Sequence, residues 1–281
     1  MESTAQRNAS RSRKRLLMCN PDHFQVDYVI NPWMEQQVGR TNHSLATRQW
    51  RAFHDFLSSV AAIELIAPQA GLPDMVFTAN AGLVIDETVV VSRFRSTERR
   101  GEEPLFKLWF ERHGLAIAPW PDDICFEGAG DALLDRARPL LWCGYGFRTD
   151  AGAPALLENV FGRKTAPLRL VDPRFYHLDT CFCPLSGGYL MYYAPAFDAA
   201  SLERIAAIVE PEKRIEVGPE DALHFACNAV ELGRRIFMNN ASGLLQSRLR
   251  ARGFEPTICP LPEFIHAGGA AKCLTLELGD A

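Results

Sequence analysis

The chain has 281 residues, 47% of them hydrophobic and 23% charged, enough to bury the core of one large α/β domain or two small ones. A net charge of −4 supplies no basic surface for nucleic acid or an anionic membrane. No apolar run approaches the roughly 18 to 20 residues that a membrane-spanning helix needs, so the composition points to a cytoplasmic globular protein.

The first stretch, MESTAQRNASRSRKR, is Arg-rich and has no apolar core of a secretory signal. Residues 1–15 are expected to form a disordered basic tail, with an organelle transit peptide as the other reading, and residues 16–281 a single domain. Strands are expected at 15–20 and 24–31. The run SLATRQWRAFHDFLSSVAAIEL then carries Leu45, Phe53, Phe56, Leu57 and Val60 on one helical face, with Ser44 as the expected N-cap. Residues 81–94 read as a hairpin turning at Asp86-Glu87, and EPLFKLWFERHG as a helix ended by Gly114. Further strands are expected at 123–127, 131–134, 139–144, 167–172, 188–193, 213–217, 225–230, 234–238, 255–259 and 273–278. Helices are expected at 201–210 and 241–253. Two or three strands per helix, repeated four or five times, is not the one-to-one alternation of a doubly wound sheet.

Eight cysteines stand at irregular spacing in apolar contexts, which suits reduced core thiols better than a disulfide framework. Cys181 and Cys183 beside His177 invite a zinc reading, but no second pair stands at finger or ribbon spacing. No metal or organic cofactor is expected.

Polar residues interrupt the apolar pattern in four places. They are Asn31 in YVINPW, Asp74 and Asn80 in LPDMVFTANAG, Glu127 and Asp131 in CFEGAGDALL, and His177 and Asp179 in FYHLDTCF. Each has a bland reading: an Asn-Pro turn, a left-handed turn residue at Asn80, a solvated hairpin loop at 127–131, a satisfied core histidine. Together with Cys273 in the closing GGAAKCLTLEL, however, Glu127 and His177 are the ingredients of thiol-based covalent catalysis. Carboxylates at Glu127 and Asp179, with the side-chain carbonyls of Asn31 and Asn80, suit a cationic planar group, because a guanidinium offers its donors as a fork.

The ordered set INPWM, PDMVFTANAG, FEGAGD, HLDT and GGAAKCLTLEL resembles the guanidino-group-modifying superfamily, the pentein fold, over about residues 16 to 278. That resemblance implies a five-bladed α/β propeller of pseudo-fivefold ββαβ units. It implies that Cys273 attacks a guanidinium carbon, that His177 acts as acid and base, and that Glu127 grips substrate nitrogens. INPW and FTAN look most like the arginine dihydrolase branch, which carries Asn31 and Asn80 over as groups that take the reaction past citrulline. By the same resemblance Asp179 is a guanidinium ligand, and Arg99 and Arg148 clamp an α-carboxylate. The best-known members of that branch add a second C-terminal module, whereas this sequence stops at Ala281.

The expected activity is therefore hydrolysis of arginine to ornithine, carbon dioxide and two ammonia through a thiouronium on Cys273. The alternatives are a dimethylarginine dimethylaminohydrolase or an arginine deiminase giving citrulline, and, outside enzymes, a guanidine-binding protein of the same fold. The expected partner is a small guanidine, arginine or a methylated arginine; self-association into a homo-oligomer is compatible with the sequence. Gly268 and Gly269 are expected to permit close backbone approach, and the following strand to fix the nucleophile.

Overall fold

The computed structural model describes residues 13–280. Residues 1–12, which hold most of the expected tail, lie outside the described residues; Lys14 and Arg15 already belong to the first strand.

Five three-stranded sheets share one connectivity. In the first, β1 (Lys14–Cys19) leads through α1 (His43–Ser58) to a parallel partner, β2 (Ala62–Ile66). The second is a hairpin, β3 (Gly82–Ile85) and β4 (Thr88–Val91), followed by α2 (Glu103–Arg112) and β5 (Ala116–Ile117) parallel to β4. The third repeats this with β6 (Ala132–Leu134), β7 (Leu140–Tyr145), α3 (Ala153–Phe161) and β8 (Lys164–Arg169). The fourth uses β9 (Phe182–Leu185), β10 (Tyr189–Tyr192), α4 (Ala199–Ile208) and β11 (Arg214–Glu216). After a short helix, α5 (Pro219–Leu223), the fifth follows with β12 (Val230–Leu232), β13 (Arg235–Met238), α6 (Gly243–Arg250) and β14 (Glu255–Ile258). A last short helix, α7 (Pro262–Ile265), precedes β15 (Leu276–Asp280), which returns antiparallel to β1 and completes the first sheet. Each unit is thus a ββαβ repeat, and the first is assembled from both ends of the chain.

Local chemistry explains much of this. Asp86 and Glu87 have φ of 45° and 59°, the two left-handed positions that a tight hairpin turn requires. Gly114, at φ 79°, follows α2 as expected. Other expectations need correction. Asn42, not Ser44, caps α1, its side chain accepting from the Leu45 amide at 3.1 Å. The buried face of α1 is Ala46, Trp50, Phe53 and Leu57, while Phe56 is exposed. The helix stops at Ser58, so the apolar pattern beyond it belongs to β2. Residues 24–31 alternate buried and exposed as a strand should, yet pair with no strand: Val26 is tied instead to Thr41 Oγ1 and the Gly39 amide. Residues 123–127 contribute one isolated bridge, between Phe126 and Arg93. The expected strand at 225–230 is a turn with Phe225 at φ 55°, pairing only from Val230. The strand expected at 167–172 lies at 164–169, and α3 has no counterpart among the expected helices.

All eight cysteines carry free thiols; Cys125 is half-buried and the others are buried. No helix among the described residues is long and apolar enough to cross a membrane.

Candidate active site

Turns between the sheets converge on a small, partly open cavity of about 260 Å³. Asn31, Asn80, Arg99, Arg148, His177 and Cys273 line it, with Asp74, Phe77, Tyr176, Gly268 and Gly269. Glu127 and Asp179 stand directly behind the wall, each bonded to a lining residue. All eight residues singled out from the sequence therefore meet at one place. A larger, mainly apolar cavity of about 540 Å³ is lined by Leu133, Phe182, Cys183, Glu231, Lys272 and Glu277. It contains none of those eight.

Glu127, His177 and Arg148 form one buried ionic cluster. Glu127 Oε2 lies 2.8 Å from His177 Nε2 and accepts from Arg148 Nη1 at 3.0 Å, while Oε1 accepts from the Arg95 amide at 3.1 Å. Burial opposes the Glu127 charge, but Arg148 and then His177 outweigh it and hold the carboxyl below the usual range. Asp131, wholly enclosed, accepts from Thr149 Oγ1 at 2.7 Å and from the Leu178 amide at 3.0 Å. Desolvation pushes it up to about 6 despite His177 nearby. The 127–131 segment is buried throughout, so it is no solvated loop. A Cβ on Gly130 would meet Asn80 Nδ2 at 2.3 Å, which explains the glycine there.

Cys273 sits on a turn three residues before β15, not on the strand expected from 273. The glycines ahead of it permit close approach as expected: Gly268 has φ +85°, and a Cβ on Gly269 would stand 2.4 Å from the Phe77 ring. The sulfur is 3.5 Å from Asp179 Oδ2 and 3.7 Å from Oδ1. Burial first, and then Asp179, raise the thiol well above its usual range. Burial likewise pushes Asp179 up to about 7, with Lys272 opposing.

The amides and guanidinium groups are more committed than the sequence suggested. Asn31 Oδ1 accepts from both the Trp33 and Met34 amides, and Nδ2 donates to Tyr176 Oη and the Ala267 carbonyl. The turn reading of Asn31 thus holds, and its oxygen is fully used. Asn80 Oδ1 takes one bond, from Arg99 Nη1 at 2.9 Å, and Nδ2 donates to the Glu127 carbonyl at 3.1 Å. Asn80 is in a short 3₁₀ turn, not in the left-handed region. Arg99 grips Glu102 bidentately at 2.9 and 2.8 Å and also reaches the Asp74 carbonyl. Arg148 spends only two donors, on Glu127 and on the Ile30 carbonyl, and stacks over the Tyr176 ring. Asp74 Oδ2 accepts from Tyr28 at 2.9 Å, whereas Oδ1 is buried without a partner in the cavity wall.

Two neighbours escaped the sequence reading. Tyr176, next to His177, bonds the Gly268 carbonyl at 2.7 Å. Asn228 donates to Cys273 Sγ at 3.0 Å; its only mark in HFACNAV was one amide in an otherwise apolar run.

A family profile described as N,N dimethylarginine dimethylhydrolase, eukaryotic, matches residues 20–279. The bifunctional arginine dihydrolase/ornithine cyclodeaminase ArgZ of Synechocystis sp. is 53% identical over 264 residues, 94% of this chain but 37% of that protein. The chain therefore spans little more than a third of that relative. The N(G),N(G)-dimethylarginine dimethylaminohydrolase of Mycobacterium tuberculosis is 41% identical over 94% of this chain and 86% of its own length. The crystal structure of the ArgZ N-terminal domain, a cysteine-to-serine variant bound to substrate, superposes with a TM-score of 0.94 at 52% identity. It covers 95% of this chain and 98% of that one.

Proposed function

Since this chain belongs to the dimethylarginine dimethylaminohydrolase family, with arginine dihydrolases among its relatives, we propose that it is a cysteine-dependent arginine dihydrolase. In this reading the five ββαβ sheets are the blades of a five-bladed propeller, with the cavity at its centre. The observation that carries the proposal is the placement of Cys273 Sγ 3.5 Å from Asp179, in a cavity that also holds the unpartnered Asp74 Oδ1. Buried carboxylate oxygens without donors are costly, and a guanidinium supplies donors and charge at once.

Burial and the Asp179 carboxylate favour the protonated thiol. A bound guanidinium offsets the Asp179 charge, the thiol gives its proton to His177, and the resulting thiolate adds to the guanidinium carbon. His177, oriented by Glu127, protonates the departing nitrogen, and ammonia leaves. His177 next takes a proton from water, which hydrolyses the thiouronium and frees citrulline. Asn80, with one oxygen lone pair unused, then holds the ureido group for a second attack. A second ammonia departs, and water releases the carbamate as ornithine and carbon dioxide. Arginine and two waters thus become ornithine, carbon dioxide and two ammonia. Arg148, with donors to spare, is better placed than Arg99 to bind the α-carboxylate.

Conversion of dimethylarginine to citrulline is the second reading, favoured by the family profile and by the Mycobacterium relative. Product analysis on arginine, citrulline and dimethylarginine separates the two. Ornithine with two ammonia per arginine is the expected result. Citrulline as the sole product from arginine removes the dihydrolase assignment. Faster dimethylamine release from dimethylarginine than ammonia release from arginine installs the second reading.

A further inference from the structure

Asn228 lies in the turn between α5 and β12, fully buried, and its side chain bridges the nucleophile turn and Asp179. Its Oδ1 accepts from the backbone amides of Lys272 at 2.9 Å and Cys273 at 3.2 Å. Its Nδ2 donates to the Asp179 carbonyl at 3.1 Å and to Cys273 Sγ at 3.0 Å. A flipped amide would leave the buried Cys273 N–H without an acceptor and point an oxygen at both the sulfur and the Asp179 carbonyl, so the donor is held onto Sγ.

The sulfur is therefore held between two groups of opposite preference. A thiol can give its proton to Asp179 while accepting from Asn228. A thiolate can only accept, so Asn228 favours it and the Asp179 carboxylate opposes it. The remaining charged or titratable groups facing this point are Lys272 on the same turn, His177 and Tyr176 beside Asp179, and Asp74, Arg99 and Arg148 across the cavity.

We propose that Asn228 is the positioning residue of the nucleophile, fixing Sγ in place and stabilising its anionic form against the Asp179 carboxylate. The inference rests on the assignment of Cys273 as nucleophile, not on which product the enzyme releases. The same hydrogen bond receives the sulfur each time hydrolysis expels it, so Asn228 acts in both half-reactions.

The test is the rate of alkylation by iodoacetamide across pH, without substrate, read at Cys273 by peptide mass spectrometry, with half-buried Cys125 as control in the same digest. Asn228→Asp keeps both bonds to the backbone amides but swaps the donor for an oxygen. Its alkylation midpoint should rise by about one to two pH units, the worth of a hydrogen bond to a charged group plus a new like charge. Asn228→Ala should rise less, and Asp179→Asn should shift the midpoint down. If Asn228→Ala does not fold, Asn228→Asp decides. A folded Asn228→Asp with an unmoved midpoint, or shifts of the same sign at positions 228 and 179, overturns the proposal. An enzyme that stops at citrulline would still show these shifts.

Discussion

Arg148→Met tests the ionic cluster most directly. Arg148 and Glu127 are 5% and 0% exposed and 3.0 Å apart, so the substitution strands a buried carboxylate with His177, 2.8 Å away, as its remaining side-chain partner. Breaking a buried pair costs about 3 to 5 kcal/mol; the surviving histidine contact places this case near about 3. At roughly 2 to 4 °C per kcal/mol for a chain of this size, the melting temperature should fall by about 6 to 12 °C near neutral pH. The pH dependence has a definite sign. Glu127 is held below its unfolded value, so in the wild type its contribution is fully present above about pH 4.3, the ordinary glutamate value, and is lost as pH falls through the lower folded value. In the variant that contribution is absent. The gap between the two melting curves should therefore be full at pH 6 to 8 and narrow progressively as pH falls below about 4.3. Calorimetry of both proteins over that range measures it. A loss of less than about 2 °C, or a gap that does not change with pH, would refute the assignment of Arg148 as the group that keeps Glu127 ionised.

Cys273→Ser should lose nearly all turnover of arginine with a melting temperature near wild type, because the thiolate supplies a step a serine hydroxyl cannot; wild-type-like steady-state rates would remove Cys273 as nucleophile. Asn80→Asp puts a carboxylate oxygen against the Glu127 carbonyl and favours a cationic guanidinium over a neutral urea. It should raise the ratio of citrulline to ornithine in time-resolved product analysis, while equal slowing of both products would mean that Asn80 only shapes the turn. Gly269→Ala drives a methyl into the Phe77 ring and should cost about 1 to 3 kcal/mol and much of kcat, whereas Gly218→Ala, with open space around it, should cost neither.

Hairpins and helix ends were legible where a single residue type decides the backbone, as at Asp86-Glu87 and Gly114. Strand pairing was less so. The alternation over 24–31 correctly identifies which side chains are buried, but burial on one face does not require a neighbouring ladder, and here loop groups satisfy the backbone. β2 was hidden because Ala61 to Leu65 prolongs the apolar spacing of α1 past its end. At the site, the residues that interrupt apolar runs with charge were visible one by one, and their order carried the resemblance. What no local pattern encodes is the commitment of each donor. Arg99 was read as a substrate clamp, yet Glu102, three residues on, occupies its fork. Asn228 was invisible for a related reason: its partners lie 44 to 49 positions away, at Asp179, Lys272 and Cys273.

The return of β15 to pair with β1 also sets a timetable. The turn that carries Cys273 runs into β15, whose sheet partners β1 and β2 lie more than 200 residues earlier in the chain. Closing a loop of that length costs entropy that only the finished sheet and its packed neighbours can offset. During synthesis the carboxylates, the histidine and both arginines can be seated while the sulfur is still missing. Residues 267–273 are one side of the cavity wall, so completing the cavity and placing the sulfur are a single event.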